Sequence, residues 1–231
     1  MSIHKEDLNL GEEISITIDG RISIKGSLKV FKEAKGLVLF AHGSGSGRYS
    51  PRNRYVASVF EKGGLATLLI DLLTPEEEVI DLQSREFRFN IVLLTSRVVS
   101  ATKWLLTNKE TEGFNIGYFG ASTGAAAALK AAAELGDIVG AVVSRGGRVD
   151  LTGDKLSEVK CPTLLIVGGN DPLVIDMNKS SLEQLEVEKK LAIVPEAGHL
   201  FEEPGALDEV SRIASEWFLR YLCKEKRVRR S

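Results

Sequence analysis

Asn115-Ile116-Gly117-Tyr118-Phe119-Gly120-Ala121-Ser122-Thr123-Gly124-Ala125-Ala126-Ala127-Ala128 is the stretch on which the reading of this chain turns. An apolar run of strand length passes directly into an alanine-rich helical stretch, with G-x-S-x-G at the junction. A turn that sharp holds its central serine in a strained backbone conformation, so the residues two before and two after must lack bulk. Gly120 and Gly124 meet that need, and Ala121 keeps crowding low. The Ser122 hydroxyl is then expected above the carboxyl end of the strand, beside a helix N-terminus whose partial positive charge favours an anion. This is the sequence form of a nucleophile elbow.

Working outward, strands and helices alternate on both sides of the elbow. Upstream, Ile14 to Asp19 and Arg21 to Phe31 alternate apolar with polar residues around Asp19-Gly20, which predicts an antiparallel hairpin at a sheet edge. Leu37 to Ala41 and Ala66 to Ile70 are short continuous apolar runs that suit strands buried on both faces. Between them, Tyr55, Val56, Val59 and Phe60 recur at helical spacing within Pro51 to Gly63. The acidic segment Leu72 to Phe87 shows no clear period, and a long helix is expected over about Asn90 to Leu106. Downstream, the elbow helix runs to about Leu135. Val139 to Ser144, Thr163 to Val167 and Lys190 to Val194 read as strands. An amphipathic helix spans about Ala206 to Leu222. Strands separated by helices in this way predict one α/β domain built on a mostly parallel sheet covered on both faces. The clustered alanines let the elbow helix approach the crowded centre of that sheet.

A serine hydroxyl needs a positioned base before it can act as a nucleophile. The chain has three histidines, His4, His42 and His199. Only His199 follows the elbow, on the loop after the last strand, where a base must lie if chain order runs serine, carboxylate, histidine. Asp171, in Gly168-Gly169-Asn170-Asp171-Pro172, is the expected carboxylate that orients it, with Asp176 as a nearby alternative. Two backbone N–H groups must hold the oxyanion. Thr123 should supply one, and Ser44 in the loop His42-Gly43-Ser44-Gly45-Ser46-Gly47 the other. That loop is a poor nucleotide cradle, because Arg48 stands where a dinucleotide fingerprint wants glycine and no Gly-Lys-Ser/Thr occurs.

Composition is that of an ordinary water-soluble domain, at 231 residues, 43% hydrophobic and 27% charged. A net charge of −2 gives no case for nucleic acid or a membrane surface as partner. No apolar run approaches the roughly 20 residues of a bilayer span, and Met1 to Glu13 lacks the apolar core of a signal peptide. The expected location is the cytoplasm. The basic tail Lys224 to Arg230 reads as a solvated terminus, and Cys161 and Cys223 make no metal or disulfide pattern.

Taken together, His42-Gly43-Ser44-Gly45, the elbow, Gly169-Asn170-Asp171-Pro172 and Ala197-Gly198-His199 resemble the α/β-hydrolase superfamily, and most of all its dienelactone hydrolase-like branch. The resemblance covers about Leu37 to Leu222. It implies an eight-stranded, mostly parallel sheet with one antiparallel strand, and a nucleophile acting through an acyl-enzyme. Dienelactone hydrolases proper carry cysteine at the elbow where this chain has Ser122. The resemblance therefore carries ester or thioester hydrolysis and leaves dienelactone itself open. Only Arg145 to Pro162 lies where many relatives insert a lid, so an open, shallow site is expected without a lid domain.

Arg145 and Arg148, and Arg48, Arg52 and Arg54 after the glycine loop, should border the nucleophile. An arginine there, Arg145 first, could bind a substrate carboxylate through paired hydrogen bonds. The alternative is that these arginines pair with Asp150, Asp154 or Glu76-Glu77-Glu78. The expected activity is hydrolysis of a small carboxylic ester, lactone or thioester, with no metal or organic cofactor. The same groups could serve acyl transfer or peptide cleavage, or persist in a binding protein with little turnover.

Overall fold

The computed structural model describes residues 11–18 and 20–223. His4, Asp19 and the basic tail lie outside the described residues. The expected hairpin is present as β1 (Glu12–Ile18) and β2 (Ile22–Lys29), paired antiparallel. Then follow β3 (Leu37–Ala41), α1 (Pro51–Lys62), β4 (Ala66–Ile70), α2 (Pro75–Ser84), α3 (Ile91–Thr107) and β5 (Ile116–Ala121). After the elbow come α4 (Thr123–Leu135), β6 (Val139–Arg145), β7 (Thr163–Gly168), α5 (Pro172–Gln184), β8 (Lys189–Val194) and α6 (Ala206–Leu222).

The strands form one eight-stranded sheet in the order β1-β2-β4-β3-β5-β6-β7-β8. β2 is antiparallel to both neighbours, and every other adjacent pair is parallel. A single strand thus runs against the rest. β3, β4, β5 and β7 are buried along their whole length. Strands covered on both faces have no polar side to alternate with, which is why their sequences are continuous apolar runs.

Each face of the sheet has its own core. On one, Leu39, Tyr118, Val142 and Leu165 pack against α3 and α4, and the Tyr118 hydroxyl lies 2.6 Å from Thr102 Oγ1 on α3. On the other, Phe40 and Phe119 meet each other and Phe60 of α1, which in turn meets Phe218 of α6, with ring centroids 5.0–5.7 Å apart. Ala125 to Ala128, Ala131 and Ala132 of α4 are 0% exposed, so small side chains set how closely this helix lies on the sheet.

The helices start where capping chemistry dictates. Ser50 caps α1 ahead of Pro51, and Asn90 caps α3 through Leu93 N–H at 3.0 Å. The acidic segment that lacked a period contains α2, opened by a reciprocal capping box between Thr74 and Glu77. Only Asp81 of α2 is buried, while Val79, Ile80 and Leu82 face solvent. An ion pair from Glu77 to the buried Arg97 of α3 holds the helix down. Between β6 and β7 the chain makes 3-10 turns over Val149–Glu158 and no lid domain. No described helix is long and apolar enough to cross a membrane.

Candidate active site

The loops leaving β3, β5, β6, β7 and β8 meet at the carboxyl edge of the parallel strands, where an open α/β sheet offers a crevice. Ser122 sits between β5 and α4 with φ 50° and ψ −122°, a conformation that residues with a Cβ rarely adopt. Its N–H donates to the Arg145 carbonyl at 3.2 Å, and its own carbonyl accepts from Arg148 and Ala125 at 3.1 Å each. The flanking glycines are required by contact. A Cβ on Gly120 would lie 2.4 Å from Ala125 Cα, and one on Gly124 would lie 2.3 Å from the Ala41 and His42 carbonyl oxygens.

Across the edge, Asp171 occupies the N-cap position of α5 and His199 the loop after β8. His199 Nδ1 and Asp171 Oδ2 are 2.7 Å apart. The approach of their two loops depends on Gly168, whose Cβ would meet the Ala197 carbonyl at 2.3 Å. Of the two candidate carboxylates, Asp171 is the one the fold joins to the imidazole, and Asp176 is not. The His199 ring lies over Gly146, where a Cβ would sit 3.6 Å from Cε1. Gly146 follows the residue whose carbonyl receives the Ser122 N–H, so the elbow and the His199–Asp171 pair stand on neighbouring loops of one rim, with no hydrogen bond between Ser122 and His199 among the described residues. His42 is buried instead, with both ring nitrogens engaged by backbone.

Ser44 and Thr123 are neighbours at this edge. Their hydroxyl oxygens are 3.0 Å apart, and neither backbone N–H donates to a protein acceptor among the described residues. Both line a cleft of about 690 Å³. Its walls come from the glycine loop, from Asp71, Leu72 and Leu73 after β4, and from α2 through Glu78 and Leu82. The segment Leu72 to Phe87 therefore forms a wall of the cleft. Sequence periodicity misses that wall, although Thr74-Pro75-Glu76-Glu77 carries the helix-start signal that could have found it. Arg88, on the loop after α2, is clamped by Asp81 through Nε–Oδ2 at 2.6 Å, and its carbonyl accepts from Ser44 Oγ at 3.3 Å.

The arginines divide. Arg148 pairs with Asp150, as the alternative expects. Arg48 pairs with Asp71 and with Glu13 of β1, and Arg52 with Glu202, acids far away in the chain. Arg54 stacks on Tyr49 at 4.9 Å. Arg145 has no acid partner among the described residues. It lies against Phe119 beneath the sheet edge, outside the walls of the cleft, and its Nη1 has no hydrogen-bond partner there. Burial, and then the charge of Arg52, pull its guanidinium down to about 10.

The dienelactone hydrolase family model matches residues 70–221, more than half of the chain. The structure of a dienelactone hydrolase from Anabaena variabilis is 59% identical, with a TM-score of 0.89, and the match covers 93% of this chain and all of that one. Est1E from Butyrivibrio proteoclasticus is 17% identical with a TM-score of 0.74, covering 90% of this chain and 98% of that one, a likeness of fold alone. A Mycobacterium tuberculosis protein provisionally named a phosphoribosyl transferase is 51% identical over 212 residues. That match takes in 92% of this chain and 47% of the relative, so the chain spans about half the length of the curated relatives it matches. The chain belongs to the dienelactone hydrolase family.

Proposed function

We propose that this protein is a serine hydrolase that cleaves a small carboxylic ester, lactone or thioester through an acyl-enzyme on Ser122. The observation that carries the reading is the 2.7 Å His199–Asp171 bond on the same rim as a serine in elbow conformation. A carboxylate at Nδ1 keeps that nitrogen protonated and leaves Nε2 free to accept the serine proton. Ser122 Oγ attacks the carbonyl carbon as His199 takes the hydroxyl proton. The N–H groups of Thr123 and Ser44 receive the negative charge that develops on oxygen. His199 returns the proton to the leaving group, the C–O or C–S bond breaks, and the acyl group remains on Ser122. Water then attacks with His199 again as base and frees the acid. The proposal includes Arg145 as the group that meets a substrate carboxylate, supported by its unused Nη1 and its place beside Gly146. The transferase name belongs to a relative about twice as long, and the reading for this chain rests on its own elbow and His–Asp pair.

A fluorophosphonate probe tests the proposal. Stoichiometric labelling of the wild type and none of Ser122→Ala is expected, together with turnover of p-nitrophenyl acetate or butyrate. Folded protein that takes no label would instead favour a binding role.

A further inference from the structure

We infer that His42 is a positioning residue that aims the Ser44 N–H at the reacting carbonyl, an inference that rests on the serine-hydrolase reading. His42 follows β3 and is 6% exposed. Its Nε2 accepts the Leu72 N–H at 3.0 Å. A neutral imidazole that accepts at Nε2 carries its proton on Nδ1. The 2.8 Å contact between Nδ1 and the Gly43 carbonyl is therefore an N–H donation to that oxygen. Burial favours the uncharged ring, against the Gly43 carbonyl and the Asp71 charge, which favour protonation. With both nitrogens engaged, His42 cannot serve as a base for Ser122.

What the ring does follows from peptide geometry. The Gly43 carbonyl and the Ser44 N–H belong to one planar unit, and in a trans peptide they point in opposite directions. No cis peptide occurs among the described residues. The carbonyl is held by His42 Nδ1–H and by the Ser46 N–H at 3.2 Å, so the direction of the Ser44 N–H is fixed as well. Gly43 also packs on the nucleophile, since a Cβ there would lie 3.0 Å from Ser122 Cβ. A flip of this peptide would exchange a donor for an acceptor where negative charge develops. The bond to Leu72 fastens the same ring to the segment that begins the cleft wall.

Two isosteric replacements separate the two bonds. The side-chain amide of asparagine reaches the place of Nδ1 and can donate to Gly43, whereas that of glutamine reaches the place of Nε2 and can accept from Leu72. On p-nitrophenyl butyrate, His42→Gln should lose about 10²- to 10³-fold in kcat with little change in KM, the scale of a lost oxyanion donor. His42→Asn should recover most of that loss, even where thermal unfolding shows it to be the less stable variant. Equal losses in both variants, or losses that track melting temperature, would overturn the inference. A Ser122→Ala control turning over the ester as fast as wild type would sink the hydrolase reading instead. In that event the ¹⁵N spectrum of the imidazole still decides the point about His42. A neutral Nδ1–H ring at pH 7 is expected, and an Nε2–H or charged ring refutes its role.

Discussion

Replacing Ser122 by glycine and by alanine separates the cost of holding the nucleophile from its chemistry. Both variants lack the hydroxyl, and both should take no fluorophosphonate. They differ in the backbone they prefer. At φ 50° and ψ −122° a residue with a Cβ is strained, by about 1–3 kcal/mol for such sparsely populated regions. Glycine relieves that strain but gives the unfolded chain extra freedom, which costs about 0.4–1 kcal/mol. The Ser122 side chain makes no capping bond to α4, so neither variant forfeits one. The net expectation is that Ser122→Gly is more stable than Ser122→Ala by about 1–2 kcal/mol. A chain of this size gains about 2 °C per kcal/mol, so the melting temperatures should differ by about 2–4 °C. Thermal unfolding and urea titration of the two variants side by side measure it. If Ser122→Gly melts at or below Ser122→Ala, the serine is not held against its preference and the argument from the elbow fails.

Other outcomes follow from the same structure. Asp171→Asn keeps the shape of the pair but favours the wrong imidazole tautomer, and should lower kcat about 10³- to 10⁴-fold. Asp176→Asn should leave it near wild type, and the reverse ranking would reassign the carboxylate. Arg145→Gln should lower kcat/KM for mono-p-nitrophenyl succinate about 10-fold or more relative to p-nitrophenyl butyrate, and equal effects on both esters would remove Arg145 from the substrate. Because burial lowers the pKa of His42, the unfolded chain takes up its proton first as pH falls below about 6.5. Wild-type stability should therefore fall below that pH, by up to about 1.4 kcal/mol per pH unit until the folded state is protonated too. His42→Asn should flatten that part of the urea-stability profile, and an unchanged slope would assign it to other groups.

The central strands, the hairpin and the elbow were legible because each is local. Leu37 to Ala41 has apolar side chains on both faces, and Gly120 and Gly124 are demanded by atoms that a Cβ would strike. The His199–Asp171 pair was legible through chain order, which fixes which loop follows which strand. α2 was hidden because its burial pattern inverts the usual rule, with its apolar residues outside and an aspartate inside. The arginine partners were hidden for a different reason. Arg52 and Glu202 lie 150 residues apart, and Glu13 reaches Arg48 from the sheet edge, so no window along the sequence contains both ends. For His42, the sequence places the ring in the glycine loop, but only the Leu72 contact fixes which nitrogen carries the proton.

The two sides of the crevice differ in how freely they can change. Behind Ser122, α4 leaves no space around its alanines, so even one added methylene there would push Ser122 out of register with His199 and Asp171. In front, α2 buries a single side chain, Asp81, which pairs with Arg88, and an ion pair from Glu77 ties the helix to Arg97 of α3. Descendants of this chain can remodel the front wall while the rear stays frozen.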